Sequence, residues 1–162
     1  MGLYVLFQRI GEEMVSFQEL FTGSRGQPIE YQGLTLKLVD EFPLDNSSRL
    51  RLTVEHIDSE WKQGLVLRTK GSFLVNNQKV PKSIVLWEDT APAVIEIEVQ
   101  SPDDHIKINN VWDHGDGVVQ AWHHGAAMIV DEIPNGRRYR CNDGHPDDNF
   151  TDIVFRLERE LG

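Results

Sequence analysis

Four aspartates, Asp143, Asp147, Asp148 and Asp152, fall with Asn142 and Asn149 inside eleven residues that hold no lysine or arginine. Carboxylates this close repel one another, so the loop is either fully solvated or organised around a cation. A hard cation such as Ca²⁺ takes roughly six to eight oxygen ligands from carboxylates and amides. Asp143, Asp147, Asp148, Asn149 and Asp152 form the candidate set. Their spacing does not follow the EF-hand loop, which needs a glycine at its sixth position and a closing glutamate at its twelfth. An Asx-rich turn, in which short side chains bond their own backbone, uses the same residue types.

Histidines and tryptophans make a second grouping. His105, His114, His123 and His124 lie within twenty residues, with Trp112 and Trp122 among them. If His114 to Gly117 forms a tight hairpin, Trp112 and Trp122 fall on opposite faces, one in the core and one nearer solvent. A transition metal wants three or four converging ligands. Adjacent His123 and His124 would point to opposite faces of a strand, so at most one could join. A metal-assisted hydrolase built on His114, His123 and nearby acids is the enzymatic alternative. Trp112, Asp113, His114, Trp122 and His124 also suit a ligand face for sugar rings, since tryptophan joins a large apolar body to a polar handle. Cys141 with nearby His145 has the residue types of a thiol nucleophile. The surrounding aspartates would raise the thiol pKa, against activation, so Cys141 reads as a small buried residue at a strand end. No nucleophile elbow, P-loop or dinucleotide fingerprint is present.

The run Asp147 to Phe155 resembles the Asp-x-Asp-Tyr-Asn-Asp-x-Val-Phe signature near the C-terminal end of certain uncharacterised bacterial β-sandwich domains. Asp147, Asp152, Val154 and Phe155 match it, and Phe150 replaces the tyrosine. Asn149 stands where the pattern has aspartate and Thr151 where it has asparagine, each a weaker ligand. The resemblance covers nine residues and implies calcium binding, often in secreted proteins.

The elements that must position these residues read as β. Residues 49–55 and 94–99 alternate polar and apolar with period two. Similar short strands are expected at 34–39, 65–69, 82–87, 106–112, 117–123, 128–133, 137–141 and 153–157, and a first strand near 1–8. Asn76-Asn77, Pro134-Asn135-Gly136 and Asn142-Asp143-Gly144 give turn signals between them. One short N-terminal helix is expected from the capping-box pattern Ser16-Phe17-Gln18-Glu19, with Val15 and Leu20 as its staple. The expected fold is a single all-β domain over 1–162, an antiparallel β-sandwich of jelly-roll type.

The chain carries 26 acidic and 16 basic residues, for a net charge of −10. Residues 1–81 hold 10 acidic and 9 basic side chains, whereas 82–162 hold 16 and 7, so the excess lies in the half with the aspartate loop. Such a field opposes nucleic acid phosphates and anionic membranes. No apolar run reaches the eighteen or so residues of a membrane span. A lone cysteine excludes an internal disulfide and agrees with a reducing compartment, so the cytoplasm is expected. Either Met1 or Met14 can serve as the start. The sequence therefore points to a non-catalytic binding module, with Ca²⁺, a glycan or small molecule, or a basic partner protein as ligand.

Overall fold

The computed structural model describes residues 17–145 and 147–160. The expected first strand near 1–8, and Val15 and Ser16 of the capping box, lie outside the described residues. The elements are α1 (Gln18–Gly23), β1 (Ile29–Tyr31), β2 (Leu34–Lys37), β3 (Asp40–Pro43), β4 (Arg49–Ile57), β5 (Lys62–Val75), β6 (Gln78–Trp87), β7 (Val94–Gln100), β8 (His105–Asp113), β9 (Ala127–Ile133), β10 (Gly136–Asn142) and β11 (Ile153–Arg159). Strands take 57% of the described residues, against a usual 20–25% or so, and every pairing is antiparallel. No helix among the described residues is long and apolar enough to cross a membrane.

Period-two patterning sets which face is buried. In β7, Ile95, Ile97 and Val99 are buried while Val94, Glu96, Glu98 and Gln100 are exposed. Leu50 and Leu52 of β4, Phe155 and Leu157 of β11, and Tyr139 and Cys141 of β10 join them in one core. The strands follow the path β1-β2-β9-β10-β11-β4-β7-β5-β8-β3, with β6 paired to β5. Long β5 lies between β7 and β8 in this curled sheet. Its first half, Lys62 to Arg68, pairs with β8, and Ser72 to Leu74 pair with β7, with an irregularity between Arg68 and Ser72. Gly71 sits at that change of partner, where an added Cβ would lie 1.7 Å from the Gln100 carbonyl oxygen.

The curl brings β3, at one end of the path, against β10 and β11. The Arg137 Nη1 donates to Asp40 Oδ2 at 2.9 Å and to the Glu41 carbonyl at 2.9 Å. The Tyr139 hydroxyl donates to Asp40 Oδ2 at 2.7 Å, and Lys37 Nζ to Asp40 Oδ1 at 2.9 Å. Asp40 is 1% exposed, so one buried carboxylate ties three strands together.

A smaller apolar cluster lies under α1: Phe17, Phe21, Leu36, Ala127, Ile129 and Phe150. The helix has Phe17 at its N-cap with no side-chain cap, a shift of one residue from the expected Ser16 cap. The Phe17 and Gln18 backbone N–H groups instead donate to the His124 carbonyl, at 2.8 and 2.9 Å.

The expected strand at 117–123 does not form. Only Trp112 and Gln120 pair, exchanging backbone hydrogen bonds at 3.0 and 2.8 Å. Beyond them Trp122 and His124 take positive φ of 63° and 48°, which breaks any ladder. The exposure contrast survives without the hairpin: Trp112 is 1% exposed and Trp122 42%. Acrylamide should therefore leave the emission lost in Trp112→Phe almost unquenched, and strongly quench the emission lost in Trp122→Phe. Equal quenching of the two components would contradict this placement.

Candidate functional site

The aspartate loop joins β10 to β11, and a buried asparagine clamps it. Asn142 Oδ1 accepts the Phe150 N–H at 2.7 Å, and its Nδ2 donates to the Asp147 carbonyl at 2.8 Å. Phe150 accepts a positive φ of 56° in exchange for seating its ring beside Phe17, 6.0 Å between centroids. Gly144 passes directly over Trp112, where a Cβ would come within 2.8 Å of the indole. The loop is thus folded by its own amides and by aromatic anchors at both ends.

Asp143 is fully buried and its hydrogen-bonding capacity is filled. Oδ2 accepts from the Ser59 hydroxyl at 2.6 Å and Gln63 Nε2 at 3.0 Å. Oδ1 accepts the His145 backbone N–H at 3.0 Å and faces His145 Nδ1 at 2.8 Å. An ionised carboxylate only accepts, so it fixes the proton on Nδ1 and leaves Nε2 free. Burial pulls the Asp143 pKa upward, but the Ser59 and His145 hydrogen bonds outweigh it and hold this carboxyl below its ordinary value.

Asp152, 3% exposed, accepts the Asp143 backbone N–H at 2.8 Å. Burial, followed by the charges of Asp143 and Asp147, pushes its pKa up to about 7. Asp147 is also raised, chiefly by burial. The two neighbouring carboxyls Asp143 and Asp152 therefore separate into an ionised member and one that holds its proton near neutrality. Cys141 is buried and its thiol is pushed well up, first by burial and then by Asp152, which agrees with an inert side chain.

These groups border an open groove of about 490 Å³ lined by Ile57, Asp58, Ser59, Glu60, His145, Asp147, Asn149 and Asp152. Behind His145 lies an aromatic stack: the His145 ring stacks on Trp61 at 3.8 Å and 22°, and Trp61 continues to His114 at 4.7 Å and to Trp112 at 6.4 Å. The Asp147 Oδ1 is buried without a hydrogen-bond partner among the described residues.

The five expected calcium ligands are not brought together. Asp147, Asn149 and Asp152 share the groove. Asp143 is consumed internally, and Asp148 turns away to accept the Tyr31 hydroxyl at 3.2 Å. Asn149 Oδ1 caps the Thr151 N–H at 3.2 Å, as an Asx turn does. Among the described residues no group of three or more His, Cys, Asp or Glu side chains is placed to hold a metal ion.

The second expected grouping also disperses. Trp112 is buried and cannot stack a ligand. Asp113 folds onto its own turn, accepting the Gly115 and Gly117 N–H groups at 2.7 and 3.1 Å. Gly115 and Gly117 hold the Asp113 pKa down against its burial, the Gly115 hydrogen bond contributing most. His114, Trp122, His123 and His124 are exposed. Because 117–123 is not a strand, the His123 and His124 rings do not point oppositely and lie 6.4 Å apart. His114 and His123 belong to no group of three His, Cys, Asp or Glu side chains among the described residues.

Sequence reading missed Asp58, Ser59 and Glu60, which line the groove, and Gln63, which with Ser59 holds Asp143. The available signal was the turn itself, Asp58-Ser59-Glu60-Trp61, two acids and an aromatic between two strands. No protein-family model matches this chain, and no curated protein matches it.

Proposed function

We propose that this protein is a non-catalytic binding module whose acidic groove takes an organic cation, the guanidinium or ammonium of a basic side chain on a ligand or partner protein. The observation that carries the reading is the lining: Asp58, Glu60, Asp147 and Asp152 share one groove with no lysine or arginine. Prior engagement of the ligands argues against a bare metal ion. Ca²⁺ needs several oxygens at roughly 2.3–2.6 Å around one point, whereas Asp143 and Asp148, two of the five candidate ligands, already accept from Ser59 and Gln63 and from Tyr31. A planar guanidinium meets such a surface with several forked donors and can also stack on the His145 ring.

Argininamide tests this. A site of millimolar affinity gains about 1.4 kcal/mol of stability in roughly 10 mM ligand, a shift of a few degrees in a domain this size. The shift should exceed that from NaCl at equal ionic strength and should vanish in the Glu60→Gln/Asp147→Asn variant. If NaCl reproduces it, the groove is a solvated surface. A gain from CaCl₂ with none from argininamide would overturn the organic cation in favour of calcium.

A further inference from the structure

Residues 61–87 span the β5–β6 hairpin and contain Lys62, Arg68, Lys70, Lys79 and Lys82 but no acidic residue, in a chain of net charge −10. Lys62 and Lys70 pair with Asp89 and Asp103 of neighbouring segments, at 3.5 and 3.6 Å. Arg68 has no carboxylate partner among the described residues. A neutral amide and an aromatic ring hold its guanidinium instead: Nη1 donates to Asn109 Oδ1 at 2.8 Å, and the Trp122 ring centroid lies 5.8 Å away. Asn109 has no exposed surface, so it fixes the arginine without neutralising it.

Strand pairing sets two more polar groups beside this guanidinium. Arg68 lies opposite Ser83 of β6 and Lys107 of β8. The three side chains therefore leave one face of the sheet, opposite to the face where Leu67, Ile84 and Ile108 enter the core. Ser83 and Lys107 are exposed. Glu41 lies opposite Lys107 on β3, yet Lys107 forms no ion pair among the described residues. Like charges directly opposite on antiparallel strands repel, so Arg68 and Lys107 face each other at a cost. An oxyanion seated between them relieves that cost through charge-assisted hydrogen bonds, which an arginine fork is shaped to give.

Two features choose among oxyanions. The field of so acidic a chain opposes a dianion more than a monoanion, which favours a carboxylate over a phosphate. The surroundings are also apolar: Trp122 is 42% exposed, and Val85, two residues from Ser83 on the same face of β6, is 43% exposed. We propose that Arg68 and Lys107, with Ser83 beside them, bind the carboxylate of a small acid whose apolar body rests on Trp122 and Val85. This site shares no residue with the acidic groove.

The test is NMR of the full chain titrated with benzoate, phenyl phosphate and benzamide, which share a ring and differ in charge. Benzoate should give saturable shifts of the Trp122 indole N–H and the Arg68 side-chain N–H, and benzamide none. Lys107→Gln, an exposed substitution, should weaken benzoate binding about tenfold, the worth of one hydrogen bond to a charged group. Arg68→Gln should abolish it. Lys79→Gln removes the same charge about 13 Å along β6 from Ser83, beyond the Debye length of about 8 Å in 0.15 M NaCl, and should leave binding unchanged. An equal response to benzamide, no response to benzoate, equal losses in Lys107→Gln and Lys79→Gln, or tighter binding of phenyl phosphate than of benzoate would overturn the proposal.

Discussion

Asp40→Ala is expected to cost about 3–5 kcal/mol, the range for breaking a buried charge pair by removing one partner. Asp40 receives Arg137, Lys37 and the buried Tyr139 hydroxyl at once. Its loss leaves the Tyr139 hydroxyl unsatisfied in the core and frees the β3 end of the sheet from β10. Arg137 keeps two other partners, the Glu41 carbonyl at 2.9 Å and Glu132 at 2.6 Å, the latter with a side chain 71% exposed. That makes Glu132→Ala a sharp control. It removes charge from the same guanidinium but breaks an exposed pair, worth about 1 kcal/mol or less. Urea midpoints at unchanged m should separate the two variants. Asp40→Asn should fall between them, because the amide oxygen still accepts from Tyr139. Equal costs for Asp40→Ala and Glu132→Ala would show that the curl is held by apolar packing alone.

The residues that close the curl were the ones least legible in the sequence. Strands whose alternation reports burial, such as Val94–Gln100, could be read directly because each apolar side chain faces one core. β3 could not. Asp40-Glu41-Phe42-Pro43 carries two acids and a proline, and its pairing with β8 depends on a strand more than sixty residues away. The strand expected at 65–69 runs on as β5 from Lys62 to Val75, and Gly71 is where it changes partners. The stretch 117–123 failed in the opposite direction. Val118, Val119 and Trp122 supply apolar residues at strand-like spacing, yet all three are exposed, so the pattern had no core behind it.

The site divides in the same way. That the aspartates of 143–152 would interact was legible from their spacing. Which of them would be ionised was not, because Asp143 is held by Ser59 and Gln63, eighty or more residues distant in sequence. Composition reveals how many carboxylates a loop carries. Only the fold reveals which one is fully hydrogen-bonded and which is merely buried, and that difference decides where charge is available to a ligand.

Acidification from pH 8 to about 5 is expected to stabilise the protein, and Asp152→Asn to remove most of that gain. Asp152 titrates near 7 in the folded state, because of burial first and of its Asp143 and Asp147 neighbours second, against about 3.9 in an unfolded chain. A raised folded value means that the folded state binds the proton more tightly. The contribution is therefore complete below about pH 4 and is lost as pH rises through 7. Its size is on the order of 2–4 kcal/mol. Asp143 acts with the opposite sign: its value is depressed, so its contribution is present above about pH 4 and is lost on further acidification. Stability should therefore peak between about pH 4 and 6 and decline on both sides. General repulsion within a chain of net charge −10 slopes the same way above the peak but persists in Asp152→Asn, so the difference between the two proteins isolates this carboxyl. The amide can still accept the Asp143 N–H, and the variant should be the more stable protein at pH 8. The same titration bears on the ligand. A cation entering the groove favours ionised Asp152, so argininamide binding near pH 6.5 should release a proton, visible as calorimetric heats that vary with the ionisation enthalpy of the buffer. Parallel pH profiles for wild type and Asp152→Asn, with buffer-independent heats, would mean that Asp152 is ionised in the folded protein and that the groove carries its full charge before any ligand arrives.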